Sequence, residues 1–262
     1  MRTFHLKRIP ALTAALLLAA TSGTGASPTW LDTSIIEEIR SDYARLYSPN
    51  NIPYLSDAIA LSGFLANSPV DRRLQSLYHS EYASDMPGAF KTLGEGSVVI
   101  PLSAAAFLAG MYFEGNGSMG IIGEWGRLTL RGFAGGAPAL ITIQRVTGAG
   151  RPGICGTGDS NWRPFEAAAG ASGHSFMGAV PFMVAARMTE PTALKGLFYA
   201  ASGLCALSRI NDNAHFPSQA GLGLWLAYKA THPSYSKPAE RRVHFYPTAM
   251  EDGIGVMALY RF

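Results

Sequence analysis

Apolar residues recur at helical spacing along most of this chain, and the pattern predicts a mostly α-helical protein. A first helix follows Thr33 or Ser34, either of which can cap it. An apolar segment at 52–65 and a polar amphipathic segment at 70–82 predict two further helices. The apolar positions of the first helix are Ile35, Ile36, Ile39, Tyr43 and Leu46.

The middle of the chain is the most hydrophobic part. Residues 97–113 form an apolar run whose length is about the minimum, roughly 17 residues, for crossing a membrane. Residues 121–144 are also apolar but are interrupted by three charged residues, and three glycines lie close together in the middle of the segment. The glycines predict a bend between two helices. The interrupting residues are Glu124, Arg127, Arg131, Gly132, Gly135 and Gly136.

Three shorter helices are predicted after a polar loop at 148–170, and the expected ranges are 175–188, 192–207 and 217–230. Pro181 predicts a kink in the first of them. The tail at 242–262 alternates like paired strands around a Glu-Asp-Gly turn. The sequence therefore predicts an all-α multi-helix bundle at 30–232, followed by a short C-terminal β-hairpin or tail.

The first 26 residues have the composition of a secretory signal peptide. Arg2, Lys7 and Arg8 precede an apolar run at 11–20, and small residues follow at 21–26. The alternative is an N-terminal anchor helix that is retained. The pattern predicts export, with the protein periplasmic or associated with the envelope.

Charge is scarce outside that N-terminal segment. Charged residues are 15% of the chain and apolar residues 48%. Three of the 21 basic residues but none of the 18 acidic residues lie in the first 26, so the remainder is balanced in charge and does not favour nucleic acid as a partner. The low charge is compatible with peripheral membrane contact. Cys155 and Cys205 allow either a disulfide or two buried thiols.

Two segments about thirty residues apart carry the chemistry. Ser172-Gly173-His174 would begin one helix, and an Arg-x5-His pattern from Arg209 to His215 would lead into another. Two imidazoles, a guanidinium and the N–H groups of a helix start are suited to binding a small oxyanion. Each feature alone is commonplace, and only their joint occurrence favours a phosphate-handling site.

The order of these segments resembles the type 2 phosphatidic acid phosphatase superfamily, which includes acid phosphatases and vanadium haloperoxidases. The family pattern is Lys-x6-Arg-Pro, then Pro-Ser-Gly-His, then Ser-Arg-x5-His-x3-Asp. Here the matching segments begin at Gln144, Ala171 and Ser208, and the resemblance covers roughly 144–230. It implies a helical bundle of this superfamily's kind.

The resemblance also implies a role for each matching residue. His215 would be the nucleophile that becomes a phosphohistidine, and His174 the acid that protonates the leaving oxygen, with no metal required. The substrate would be a phosphate monoester, with lipid phosphates or diphosphates as candidates. The implied substrate-binding residues are Arg151, Ser172, Gly173, Arg209 and Gln144.

This chain departs from the family pattern at two positions. Gln144 stands where the family has lysine, and Gln219 stands where a carboxylate orients the nucleophilic imidazole. Asp212 is an acidic candidate that would replace this carboxylate. If the site is merely attenuated, Gln219→Asp should raise turnover, whereas unchanged or reduced turnover would mean a site rebuilt around the amide. Arg163 is a rival to Arg151 as the Arg-Pro anchor.

Two other functions fit the same residues. One is a vanadate-dependent haloperoxidase, since vanadate resembles the phosphoryl transition state. The other is a non-catalytic envelope protein that retains the fold and an anion pocket. The histidines lack zinc-ligand spacing, so a zinc site is not favoured.

Overall fold

A computed structural model describes residues 35–86, 88–113, 117–153 and 158–232, together with the backbone of 243–250 and 253–260. The described residues up to 232 are mostly helical, which confirms the predicted all-α character. The predicted signal peptide at 1–26 and Cys155 lie outside the described residues.

Ten helices occur in the described residues, and at the C-terminal end the backbone of two strands pairs antiparallel. Val243 lies opposite Tyr260, and Met250 lies opposite Gly253. The helices are α1 (Ile35–Leu46), α2 (Ile52–Ala66), α3 (Pro69–Glu81), α4 (Gly88–Thr92), α5 (Gly96–Tyr112), α6 (Gly117–Thr147), α7 (Gly173–Met188), α8 (Thr192–Ser202), α9 (Leu204–Asn211) and α10 (Pro217–Thr231); the strands are β1 (Val243–Met250) and β2 (Gly253–Tyr260).

Helix α7 lies in the hydrophobic core, because apolar and small residues occupy nearly all of its circumference. It packs between α6 and α10. Burying each large apolar side chain of this core contributes about 1.5–3 kcal/mol to the stability of the fold. This packing holds α7, and with it the start of the helix, in place. The core side chains of these three helices include Phe133, Leu140, Phe176, Val180, Met183, Val184, Leu222 and Leu226.

Two of the glycines expected to bend the 121–144 segment instead allow close packing. α6 runs unbroken for 31 residues, from Gly117 to Thr147. A Cβ atom at Gly136 would lie 2.5 Å from the Phe176 ring, and one at Gly132 would lie 2.9 Å from Val180. The prediction of two helices was wrong. A single sequence does not distinguish a glycine that allows close helix packing from a glycine that bends a helix.

The predicted helix at 192–207 is also divided. α8 ends at Ser202 and α9 begins at Leu204, with Gly203 between them. By contrast, α7 continues through Pro181, whose carbonyl accepts a hydrogen bond from the Trp125 indole N–H at 2.9 Å.

The charged residues within α6 hold α1 in place. Arg131 binds the Asp42 carboxylate at 2.6 and 2.9 Å, and buried Arg127 pairs with Glu38 of α1 and with Glu124. Removing one partner of such a buried network would leave a charge without compensation. The interruptions in the apolar pattern therefore mark a contact between helices.

We find no helix, among those of the described residues, that is both long enough and apolar enough to cross a membrane.

Candidate active site

Ser172 caps the first turn of α7. Its buried hydroxyl oxygen accepts a hydrogen bond from the Ser175 backbone N–H at 3.2 Å. α10 packs on this turn at Gly223, where a Cβ atom would collide with the Ser172 carbonyl oxygen. The N–H groups of Gly173 and His174 lie in the first turn, where helices have no internal acceptors. This helix start therefore favours an anion.

One peptide unit of the turn is held from both sides. The Gln144 side-chain NH2 donates to the Ala171 carbonyl at 2.9 Å, and the Ser172 N–H of the same peptide unit donates to the Gln219 backbone carbonyl at 2.9 Å. A Cβ atom at Gly173 would lie 3.5 Å from the Gln144 nitrogen. Gln144 thus lies beside the start of α7, where it fixes the backbone.

His215 precedes α10 and is held by Gln219, one helical turn further along. The His215 Nδ1 lies within hydrogen-bond distance, 2.9 Å, of the Gln219 Oε1, and the Phe216 backbone N–H donates to the same oxygen at 3.2 Å. The Gln219 NH2 donates to the Gly150 carbonyl at 2.8 Å. His215 is only 3% exposed, and burial is the main cause that lowers its pKa to about 4.

Arg209 lies at the end of α9, and its backbone carbonyl accepts from the His215 N–H at 3.1 Å. The connecting turn contains Asn213 in the left-handed region, with φ of 52°. The buried guanidinium pairs with Asp212, while its Nε has no hydrogen-bond partner among the described residues. Asp212, the candidate replacement for the missing carboxylate, therefore binds Arg209, whereas Gln219 binds the imidazole.

His174 is partly buried at the start of α7. Burial is the first cause of its lowered pKa, and the charge of Arg209 is the second. Its carbonyl accepts a hydrogen bond from the Cys205 thiol at 3.1 Å, and Gly94 packs too closely against this carbonyl to allow a side chain. Cys205 is a free buried thiol, and burial raises its pKa to about 11.

Arg151 lies on the loop after α6 and has an exposed side chain. The loop is fixed on both sides of Arg151, by the Gly150 carbonyl bound to Gln219 and by the Gly153 N–H, which donates to the Asn213 carbonyl at 3.2 Å. The rival anchor, Arg163, pairs instead with Asp159 at 2.8 Å.

The structure brings the two histidines and the two arginines together. Arg151, His174 and Arg209 each lie near enough to His215 for their positive charges to lower its pKa. Both arginines act in the same way on His174. Such an excess of positive charge around two imidazoles would stabilise a bound anion.

The inner face of α3 supports the segment around His215, and the sequence analysis did not predict this contact. Asp71 accepts from the Ser218 N–H at 2.9 Å and from its hydroxyl at 2.6 Å, so it caps α10 from another helix. Gln75 and His79 donate to the Ile210 carbonyl at 3.0 and 3.1 Å. We call Asp71, Gln75 and His79 the α3 stripe. Their spacing of four residues was the only available signal.

No group of three histidine, cysteine, aspartate or glutamate residues is close enough to hold a metal ion within the ranges that the structure describes. The candidate site, which we call the anion site, consists of Gln144, Arg151, Ser172, Gly173, His174, Arg209 and His215.

No protein-family model matches this chain, and no curated protein or solved structure is similar enough to it to count as a match.

Proposed function

We propose that the protein is a phosphatase of the type 2 phosphatidic acid phosphatase superfamily that hydrolyses phosphate monoesters through a phosphohistidine. The observation that carries this proposal is the grouping of His215 and His174 with two arginines at a helix start. Arg209 contributes a buried Nε that has no partner among the described residues. A phosphoryl oxygen would supply its missing acceptor.

In the first step, the Nε2 lone pair of His215 attacks phosphorus and the bond from phosphorus to the ester oxygen breaks. The electron pair leaves on that oxygen, which takes a proton from the His174 imidazolium. Arg151, Arg209 and the first N–H groups of α7 stabilise the charge on the equatorial oxygens. The products of this step are an alcohol and a phosphohistidine.

In the second step, water attacks the phosphorus of the phosphohistidine, and neutral His174 takes a proton from that water. The bond from phosphorus to Nε2 breaks, inorganic phosphate leaves, and His215 regains its lone pair. Both histidines are then in their starting protonation states.

The substrate class follows from the same site, and a lipid phosphate is one candidate within it. α5 carries no charged residue and begins next to Gly94, which packs on His174. Large apolar side chains along α5 are exposed, and such a surface favours contact with acyl chains. They include Ile100, Leu102, Leu108, Met111 and Tyr112.

Two features of the termini complete the proposal. The N-terminal pattern at 1–26 supports export to the periplasm or envelope. The C-terminal strand ladder supports a small hairpin beside the helical bundle.

The test is a phosphatase assay on the purified protein with a soluble aryl phosphate and with phosphatidate in mixed micelles. We expect His215→Ala and His174→Ala to lower turnover at least a hundredfold, the scale of losing a nucleophile or a general acid. Rapid quenching in base followed by mass spectrometry should find phosphate on His215.

His232→Ala is the matched control. His232 is a partly buried histidine bound to the Tyr199 hydroxyl at 2.6 Å and to α10, so it resembles the site histidines without belonging to the anion site. It should keep wild-type turnover. Equal residual rates in the wild type and both alanine variants would contradict the proposal and favour a non-catalytic protein. Halide oxidation with peroxide and vanadate would favour the haloperoxidase.

A further inference from the structure

Gln219 lies where three parts of the anion site meet. Its side chain binds the His215 ring and the Gly150 carbonyl, which belongs to the peptide unit before Arg151. Its backbone carbonyl binds the Ser172 N–H at the start of α7. Gln219 is completely buried, and so is its contact with the His215 ring, whereas its bond to Gly150 is partly buried.

The neighbours of Gln219 decide which end of its amide faces which atom. The Phe216 N–H can only donate, and it binds the amide oxygen; the Gly150 carbonyl can only accept, and it binds the amide nitrogen. The oxygen therefore faces His215, whose Nδ1 must carry the proton. Nε2 is then the ring nitrogen with the lone pair.

We propose that the site is built around the amide of Gln219, which fixes the tautomer of His215 and ties the nucleophile to the backbone before Arg151. The inference rests on the proposed function, because it names the His215 nitrogen that attacks phosphorus. Gln219 is a positioning residue in this account.

A carboxylate cannot replace this amide. Aspartate or glutamate could accept from His215, but neither has a donor for Gly150 when ionised. The partly buried Gly150 carbonyl would lose its partner and would face a second oxygen atom. Gln219 therefore orients the imidazole in a different way from the carboxylate that the resemblance leads one to expect. Turnover should fall when a carboxylate replaces it.

The neutral amide also affects the charge of His215, although burial is the main cause of its lowered pKa. The charged groups that face the ring are Arg151 from the loop after α6, His174 from α7 and Arg209 from α9. Asp212 pairs with Arg209, and Asp71 binds Ser218. A carboxylate in place of Gln219 would bind the ring directly and favour its protonated form. Burial keeps the nucleophile unprotonated in acid, and the hydrogen bond from the neutral amide opposes this effect less than a carboxylate would.

The first experiment is nitrogen-15 NMR of the histidine side chains in the wild-type protein. We expect the Nδ1–H tautomer for His215 between pH 6 and 7, with His215→Ala used to assign its signals. A dominant Nε2–H tautomer would overturn the inference. This measurement needs neither substrate nor turnover, and it decides the matter even where a variant does not fold.

The second experiment compares Gln219→Glu and Gln219→Asp with Gln219→Met, which keeps the volume but has no hydrogen bond. We expect kcat to fall roughly tenfold or more in all three, since each loses at least the hydrogen bond to the Gly150 carbonyl. The acid limb of the pH profile of kcat/KM should shift to higher pH in the Glu variant and stay at the same pH in the Met variant. Wild-type or higher turnover in Glu or Asp would contradict the inference.

The two proposals fail in different ways. A wild-type protein without phosphatase activity would overturn the proposed function, while its NMR spectrum would still decide the tautomer. An active wild type with the Nε2–H tautomer would overturn the inference alone.

Discussion

At the scale of single residues, the two histidines have pKa values that are lowered for the same first reason, which is burial. Their proposed roles nevertheless need opposite protonation states. His215 must be neutral to attack, whereas His174 must be protonated to release the alcohol. Activity therefore requires a pH above the pKa of His215 and below that of His174.

This requirement predicts an acidic pH optimum. As pH falls through about 4, His215 gains a proton and kcat/KM should drop. As pH rises past the lowered pKa of His174, the acid is lost, so the alkaline limb should lie below the ordinary histidine pKa of about 6.5. The measurement is kcat/KM for an aryl phosphate between pH 3 and 9.

Far-ultraviolet circular dichroism at each pH is the control, since His232 also has a pKa lowered from 6.5 to about 4. The unfolded chain gains this proton first, so the fold loses stability as pH falls from 6.5 towards about 4. A plateau of kcat/KM centred above pH 7 would contradict the assigned roles.

At the scale of secondary-structure elements, α3 buries polar residues and exposes apolar ones, which is the reverse of an ordinary amphipathic helix. Its buried positions are Asp71 and Gln75, while Leu74 and Leu77 are exposed. A search for apolar faces would therefore assign the wrong side of α3 to the core. The buried polar side is explained by its bonds to the segment that carries His215.

The α3 stripe should act on catalysis through the position of His215. We expect Asp71→Ala to destabilise the fold by about 1–2 kcal/mol, as for loss of a helix cap, and to lower kcat more than it changes KM. Asp71→Asn keeps one acceptor for Ser218, and burial already raises the pKa of Asp71, so it should recover most of kcat. Steady-state kinetics and urea unfolding measure both effects.

Ser76→Ala is the control on the exposed side of the same helix and should change neither quantity. If Asp71→Ala lost stability but kept wild-type kcat, α3 would have a structural role only.

The glycines of α6 provide a test of helix packing. Gly136→Ala should destabilise the protein by about 1–3 kcal/mol, because the added Cβ would overlap the Phe176 ring and neither helix can move easily. Gly196→Ala in α8 is the matched control, since nothing lies within 4 Å of its Cβ position.

In Gly196→Ala, the higher helix propensity of alanine should stabilise the protein by up to about 1 kcal/mol. The measurement is urea unfolding of both variants. Equal effects at the two positions would mean that α6 and α7 are not packed as described.

At the scale of the whole molecule, the anion site is made by the last turns of α6 and the loop after it, the start of α7, the end of α9 and the segment just before α10. Its residues lie between Gln144 and His215, and the spacing of the motifs named each of them as a candidate. The sequence also predicted helices close to the observed ranges of α1, α2, α3, α7 and α10.

What could not be read from the sequence depends on contacts between distant residues. Whether Gly136 bends α6 or receives Phe176 is decided by α7, and the partner of Ser218 is decided by α3. The role of the Gln219 amide depends on the Gly150 carbonyl. One sequence contains no record of such pairings, so periodicity predicts the elements but not these contacts.

Because the site exists only in the complete fold, phosphate should stabilise the whole protein. At a concentration one hundred times its Kd, a ligand that binds only the native state adds about 2.7 kcal/mol to the free energy of unfolding. We expect inorganic phosphate to raise the Tm of the wild type, and Arg209→Ala to reduce this rise. An equal rise with sodium chloride of the same ionic strength would indicate a salt effect instead.

The peptide unit between Ala171 and Ser172 has a consequence for the order of assembly. Its carbonyl is bound by Gln144 and its N–H by the backbone of Gln219. A nascent chain that has emerged only as far as α9 lacks the second of these bonds and His215 as well. The protein should therefore acquire phosphate affinity only when α10 docks, which makes phosphate binding a reporter of completed folding.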